Sequence, residues 1–316
     1  MKKLFIATLA IAALASCNKD QVINFDKFPI NFGEAFVDNA TKAIYEDGDD
    51  ITGFTVWGNV QGTNATPVAL YGDTGATVDR NNAALGVAWT CSVTRYWTPD
   101  CTYNFAAIAN GTAAECVNGI PTKISYTVNP TDPADLIYSG NVTAATDANS
   151  VPISGVNGNK VVAFTMRHLL SRIKVSFVNL NESADYTYEV SGVQISTWDK
   201  GIYTIGAATP WAQDGTGSAN LTYSALSGLA YNVATSAGAQ LIIPGAAATL
   251  KFHYVLKFNG TEVYSTDVTK ELTTTFAEGC SYNLAVQLKA GNKIDFTIAA
   301  ENGLAGWGDD TNVTVQ

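Results

Sequence analysis

Histidine and methionine are nearly missing from this chain, which has two of each in 316 residues. So few imidazoles leave little material for a catalytic or metal-holding constellation. No G-x-S-x-G, H-E-x-x-H, C-x-x-C or P-loop sequence occurs, so no nucleophile elbow, zincin, zinc knuckle, redox pair or nucleotide cradle is implied. Charged residues make up only 15% of the chain. Helix-rich proteins need more Glu, Lys, Leu and Arg on their surfaces, and no long amphipathic helix is legible here. The formal net charge of −10 repels phosphate backbones, so no nucleic acid partner is expected. No enzymatic activity, cofactor or metal is read from the sequence.

What the chain does contain is period-two alternation between turn signals. Leu85, Val87, Trp89, Cys91 and Val93 share one parity, and Tyr103, Phe105 and Ala107 resume it after the Thr98-Pro99-Asp100 turn. Ile124, Tyr126 and Val128 form another strand before Pro130 and Pro133. Further strands are read at Val162–Met166, Ile173–Phe177 and Tyr188–Ile195, the last with a bulge at Gly192. Leu250, Phe252, Tyr254, Leu256 and Phe258 alternate up to Asn259-Gly260, the sequence of a type I′ hairpin turn. Tyr282–Leu288 and Ile294–Ile298 close the pattern. Short strands at this spacing predict an all-β chain of tandem β-sandwiches. The Thr-, Ser-, Asn- and Gly-rich stretch 141–159 reads as a connector and places a boundary near Gly155–Lys160. The expected division is 1–16, 17–42, 43–157 and 158–316.

The N-terminus carries an address. Met1-Lys2-Lys3 precedes an apolar stretch from Leu4 to Ala15, too short to span a bilayer, which ends in Leu14-Ala15-Ser16-Cys17. Small residues directly before a cysteine resemble the bacterial lipoprotein signal. That resemblance implies cleavage before Cys17, acylation of Cys17 and anchoring in the outer membrane at the cell surface through several acyl chains. Asn18-Lys19-Asp20 is similar to surface-export tags of Bacteroidetes lipoproteins. Cys91, Cys101, Cys116 and Cys280 are left, and in an exported protein they allow three full pairings. Cys91 faces inward on its strand, where a bridge and a buried thiol both fit.

Other candidates divide between a functional and a plain reading. Asp47, Asp49 and Asp50 lack the regular ligand spacing of a calcium loop and read as a solvated connection. Trp57, Trp97, Trp198, Trp211 and Trp307 could serve as sugar-stacking platforms or as core and edge residues. His168, in Met166-Arg167-His168-Leu169-Leu170, is expected to be a hydrogen-bonded structural histidine, and His253 to face outward.

Several segments recur in an order that resembles the fimbrillin family of Bacteroidetes lipoproteins. They are Phe28-Pro29-Ile30-Asn31-Phe32, Ala40-Thr41-Lys42-Ala43, Ile51-Thr52-Gly53-Phe54-Thr55-Val56, Arg95-Tyr96-Trp97 and Tyr103-Asn104-Phe105-Ala106-Ala107. Phe164–Val175 and Gly306-Trp307-Gly308 follow. The resemblance implies two tandem transthyretin-like β-sandwich domains after a lipoprotein signal peptide. It also implies a pilus subunit, processed by a trypsin-like protease and assembled with other pilin subunits. The protease cuts the loop after the first strand; that strand leaves with the lipid, and a strand from the next subunit fills its groove. Lys42–Ala43 stands at the family's cut site, and Ile294, Phe296, Ile298, Val313 and Val315 are the candidate donor-strand residues. Lysine there departs from the arginine that many such proteases select through a bidentate contact. The departure also admits an uncut, lipid-held anchor, tip or accessory subunit; the alternative from another class is an uncut, monomeric surface lipoprotein that binds glycans or host proteins.

Overall fold

A computed structural model describes residues 28–37, 51–80, 89–131, 134–157 and 160–301. All regular elements among these residues are β-strands. The first are β1 (Asn31–Val37), β2 (Gly53–Gly62), β3 (Val68–Ala69), β4 (Ala76–Arg80), β5 (Trp89–Cys91) and β6 (Cys101–Ala109). Next come β7 (Thr112–Val117), β8 (Ile120–Thr127), β9 (Ile137–Thr146), β10 (Pro152–Ser154) and β11 (Val161–His168). β12 (Ser171–Asn179), β13 (Tyr186–Trp198), β14 (Lys200–Thr204), β15 (Trp211–Gln213) and β16 (Ser218–Thr222) follow. β17 (Ala234–Ile242), β18 (Ala248–Phe258), β19 (Thr261–Leu272), β20 (Ser281–Lys289) and β21 (Lys293–Ala300) complete the described strands.

Alternation places these strands as expected where one face is buried. On β18, Leu250, Phe252, Tyr254 and Leu256 point into the core while Lys251 is exposed. Asn259 and Gly260 both take positive φ, 47° and 80°, and Phe258 pairs directly with Thr261, so the hairpin has its two-residue turn. On β13 the register against β18 shifts between Ser191 and Gln194, with Gly192 at φ 59°, which is the bulge read from the sequence.

The strands form four sheets. The largest has the order β1-β11-β9-β6-β2-β4-β5, with β10 on β9 and β3 on β2. Two four-stranded sheets, β17-β12-β20-β21 and β16-β13-β18-β19, pack face to face as a sandwich. Phe177 of the first meets Phe252 of the second edge-on at 5.1 Å. The fourth sheet, β15-β14-β8-β7, joins strands from both halves of the chain. Ile124 and Tyr126 of β8 lie in the same core as Trp57 and Ala106 from β2 and β6 of the large sheet. The large sheet therefore has two buried faces. Trp57, Ala106, Ile108 and Tyr138 belong to the core shared with the sandwich, and Val56, Phe105, Ala107 and Ile137 to a second core.

Stretch 141–159 is not wholly a connector. Its first six residues belong to β9, which lies between β11 and β6 inside the large sheet. Its small residues hid it. Ala144 stands opposite Tyr103, and Val142 opposite Phe105, so bulky rings on one strand face short side chains on the next. Around the expected boundary the chain interleaves: β11 sits in the large sheet beside β1 and β9, while β7 and β8 join β14 and β15.

Candidate functional site

The large sheet curls until its ends meet, and the segment Phe28–Val37 closes the seam. On one side β1 runs parallel to β11, from Asn31 opposite Val161 to Val37 opposite Met166. On the other side, the residues just before β1 bond to the chain after β5. Ile30 N–H donates to Arg95 O at 2.8 Å, Trp97 N–H donates to Phe28 O at 3.0 Å, and Pro29 bridges to Tyr96. The segment is thus held by main-chain bonds along both edges.

Its side chains plug the second core. Ile30 and Phe32 are 3% and 4% exposed. The Phe32 ring stacks on Phe164 at 5.9 Å, meets Phe105 edge-on at 5.6 Å and lies 6.2 Å from Tyr71. Trp97 packs edge-on against Tyr103 at 4.7 Å and completes the lining. Each buried side chain of this size contributes about 1.5–3 kcal/mol on leaving water. At the segment's start, Lys160 Nζ sits 5.8 Å over the Phe28 ring. Withdrawing the segment would leave the β11 edge unpaired and an aromatic pocket open, a combination that invites another strand. Burial pushes the Tyr71 hydroxyl well above its ordinary pKa.

Only some of the sequence-predicted sites belong to this seam. Phe28, Ile30 and Phe32 lie in it. Cys17, Lys42 and Ala43 lie outside the described residues, as do Val313, Val315, Trp307 and the acids Asp47, Asp49 and Asp50. Lys42 follows the last residue of β1, Val37, in the connection to β2. Ile294, Phe296 and Ile298 lie on β21, antiparallel to β20, opposite Leu288, Val286 and Leu284. Ile298 is buried and the other two are half-buried, with Lys270 Nζ 5.6 Å over the Phe296 ring. β21 is the outer strand of its sheet among the described residues, and its far edge carries no further strand.

The remaining candidates have settled places. Trp57 and Trp97 are buried core residues, at 2% and 1% exposure. Trp198 and Trp211 are half-buried against the shared core, and Trp211 meets Tyr203 at 5.3 Å with 66° between the rings. His168 is buried and its Nδ1 hydrogen-bonds the equally buried carboxyl of Asp135. Burial raises the Asp135 pKa above its ordinary 3.8, and the His168 contact pulls it part of the way back. His253 lies on the outward face of β18, where it contacts Asp267 across the pair to β19 at 2.8 Å. Cys91, Cys101, Cys116 and Cys280 form no disulfide; the Cys91 thiol donates to Val93 O at 3.3 Å, and burial raises its pKa. Among the described residues no His, Cys, Asp or Glu side chains gather in a metal-holding group.

Two features escaped the sequence reading. The parallel pairing of β1 with β11 joins segments that no local pattern links. Arg167, at the end of β11, bonds Glu278 at 2.7 Å and the Tyr203 hydroxyl at 2.8 Å. Its burial alone would lower the guanidinium's pKa, but Tyr203 and Glu278 outweigh that and raise it. The run Met166-Arg167-His168 flagged the position without naming its partners.

Comparison with known proteins follows this geometry. The sequence pattern of a family described as fimbrillin-like matches residues 38–302. No curated protein matches the sequence. A fimbrial protein from Bacteroides vulgatus is similar in structure, with a TM-score of 0.53, 15% identity, and coverage of 78% of this chain and 92% of that one. A candidate cell adhesion protein from Parabacteroides distasonis is similar with a TM-score of 0.53, 10% identity, and coverage of 89% and 96%. At these identities the likeness is one of fold.

Proposed function

We propose that this chain, which belongs to the fimbrillin-like family, is a structural or adhesive subunit of a cell-surface pilus that assembles by strand exchange. The observation that carries this reading is the seam. Phe28–Val37 is a short segment, bonded on both sides, whose Ile30 and Phe32 fill a pocket lined by Phe164, Phe105, Tyr71 and Trp97. The protein is exported as a lipoprotein, acylated at Cys17 and held in the outer membrane. A trypsin-like protease cuts between Lys42 and Ala43, in the connection after β1. The freed segment departs with the lipid. A donor strand from the next subunit then restores the main-chain bonds along β11 and places alternate side chains in the vacated pocket. The C-terminal region supplies that donor, either as β21, through Ile294, Phe296 and Ile298, or as the segment holding Val313 and Val315.

The test is N-terminal sequencing with intact mass, on protein from the native cell surface, applied to monomer and to any high-mass ladder. Polymers whose chains begin at Ala43 are expected. A lipid-modified chain beginning at Cys17, with no shorter form and no ladder, would overturn the polymer reading.

A further inference from the structure

Just past the end of the seam, Arg167 of β11 and Glu278 stand in the wall of a cleft of about 560 Å³. That volume falls within the roughly 300–1,000 Å³ of small-molecule sites. Four separated parts of the chain build it: the end of β11, the β14–β15 connection, the turn at Pro244-Gly245 and the β19–β20 connection. Its position, where the large sheet meets the sandwich, is a usual one for ligand sites.

The walls are fixed before any ligand arrives. Trp211 Nε1–H donates to Leu169 O at 3.1 Å, and Thr204 N–H donates to Pro210 O at 2.8 Å. Ala277 is held twice, its N–H donating to the Tyr282 hydroxyl at 2.8 Å and its carbonyl accepting from Ser171 Oγ at 2.6 Å. A Cβ on Gly201 would come within 3.0 Å of the Trp211 ring, so the indole is seated directly on that backbone.

We infer that this cleft binds a neutral saccharide unit. Three observations select that chemistry. Half-buried Trp211 and Pro210 give the cleft an aromatic and apolar side, backed by the buried Tyr203 ring. The Arg167–Glu278 pair cancels its own charge, so an isolated anion or cation gains little from it. The pair also sets N–H donors beside carboxylate acceptors. A guanidinium has five N–H donors; here one goes to Glu278 and one to Tyr203, and the side chain is 50% exposed. Adjacent hydroxyls of a sugar ring can accept from such a fork and donate to Glu278 Oε1, while Oε2 is buried behind it. The exposed rim of Gly206, Ala207, Ala208 and Thr209 leaves room for a chain of further sugar units to continue outward. Arg167 follows Met166, the last β11 partner of β1, but the other lining residues lie outside the β1 seam, so the site stands whether or not the protein polymerises.

The test is saturation-transfer NMR on the purified protein with methyl α-mannoside, methyl β-galactoside and methyl β-N-acetylglucosaminide. N-Acetylneuraminic acid and a proline-rich tetrapeptide are the competing probes. Two variants accompany the wild type. Arg167→Lys keeps the charge and removes the planar fork, and Ala208→Tyr fills the mouth from an exposed position. Circular dichroism establishes that each is folded. Transfer to at least one neutral glycoside is expected, with about tenfold or greater loss of affinity in both variants. No transfer to any neutral glycoside, transfer that survives either substitution, or a preference for the acid or the peptide would overturn the assignment.

Discussion

Gly155 takes φ +70°, and a Cβ built on it would lie 2.2 Å from Thr143 O and 2.5 Å from Ala144 Cα. Left-handed backbone alone costs a non-glycine residue about 1–2 kcal/mol. Here the collision with the β9 backbone adds to that cost, because neither atom can swing away. Gly155→Ala is therefore expected to lower the urea midpoint well beyond the effect of Gly206→Ala. Gly206 has φ +79°, but a Cβ there meets nothing within 4 Å. Equal losses would show that the strand yields at Gly155. Asp135 gives a pH-dependent counterpart. Its folded pKa is raised by burial above 3.8, so from pH 3.8 up to the folded value the native state holds more protons than the unfolded one. Its contribution is then full below that range and is lost as pH rises through it. The stability advantage of wild type over Asp135→Asn, measured by urea unfolding from pH 4 to 7, should shrink with rising pH. An advantage that grows would mean that the native state holds the buried carboxyl ionised. The sequence marked His168 as a hydrogen-bonded residue, but its partner lies 33 residues away, and nothing local announces a carboxyl buried in an unpatterned stretch.

At the scale of elements, the seam strand and the candidate donor strand differ in how firmly they are seated. Phe32 is 4% exposed and touches three aromatic rings, so Phe32→Ala should cost about 3–5 kcal/mol. Phe296 is only half-buried on an outer strand, and Phe296→Ala should cost about 1–2 kcal/mol. Denaturant unfolding of the two variants checks the order, and a larger loss at Phe296 would reverse the picture of which strand anchors its core. Legibility followed the same physics. The β18–β19 hairpin could be read because a long alternation met an Asn-Gly turn, both local signals. β9 could not, because its Ala, Thr and Asn carry no clear apolar period, and the Tyr103 and Phe105 rings that face its Ala144 and Val142 lie on a neighbouring strand. In the seam, Phe28, Ile30 and Phe32 were visible as an apolar series. The pairing of Asn31–Val37 with Val161–Met166 was invisible, because parallel strands far apart in sequence share no turn to fix their register.

At the scale of the whole molecule, the two halves of the chain do not close on themselves. β11, from the second half, supplies the edge on which β1 pairs and also bonds β9 through Arg167–Tyr138 and His168–Ile137. β8, from the first half, pairs with β14 through five residue pairs from Lys200–Thr127 to Thr204–Lys123. Trp57, Ile124, Tyr126 and Tyr138 from the first half share one buried cluster with Ile173, Phe177 and Leu250 from the second. A cut at 157/158 would therefore strip β1 and β9 of their neighbour, bare one edge of β8 and open the shared core from both sides. Exposed strand edges beside apolar surface favour association over folding. Fragments 17–157 and 158–316, expressed separately, should each lack a cooperative thermal transition and aggregate, whereas the full chain melts cooperatively. Differential scanning calorimetry of the three proteins decides it. If each fragment showed its own sharp transition at the temperature it has in the full chain, the exchanged strands would be ornaments on two self-sufficient units.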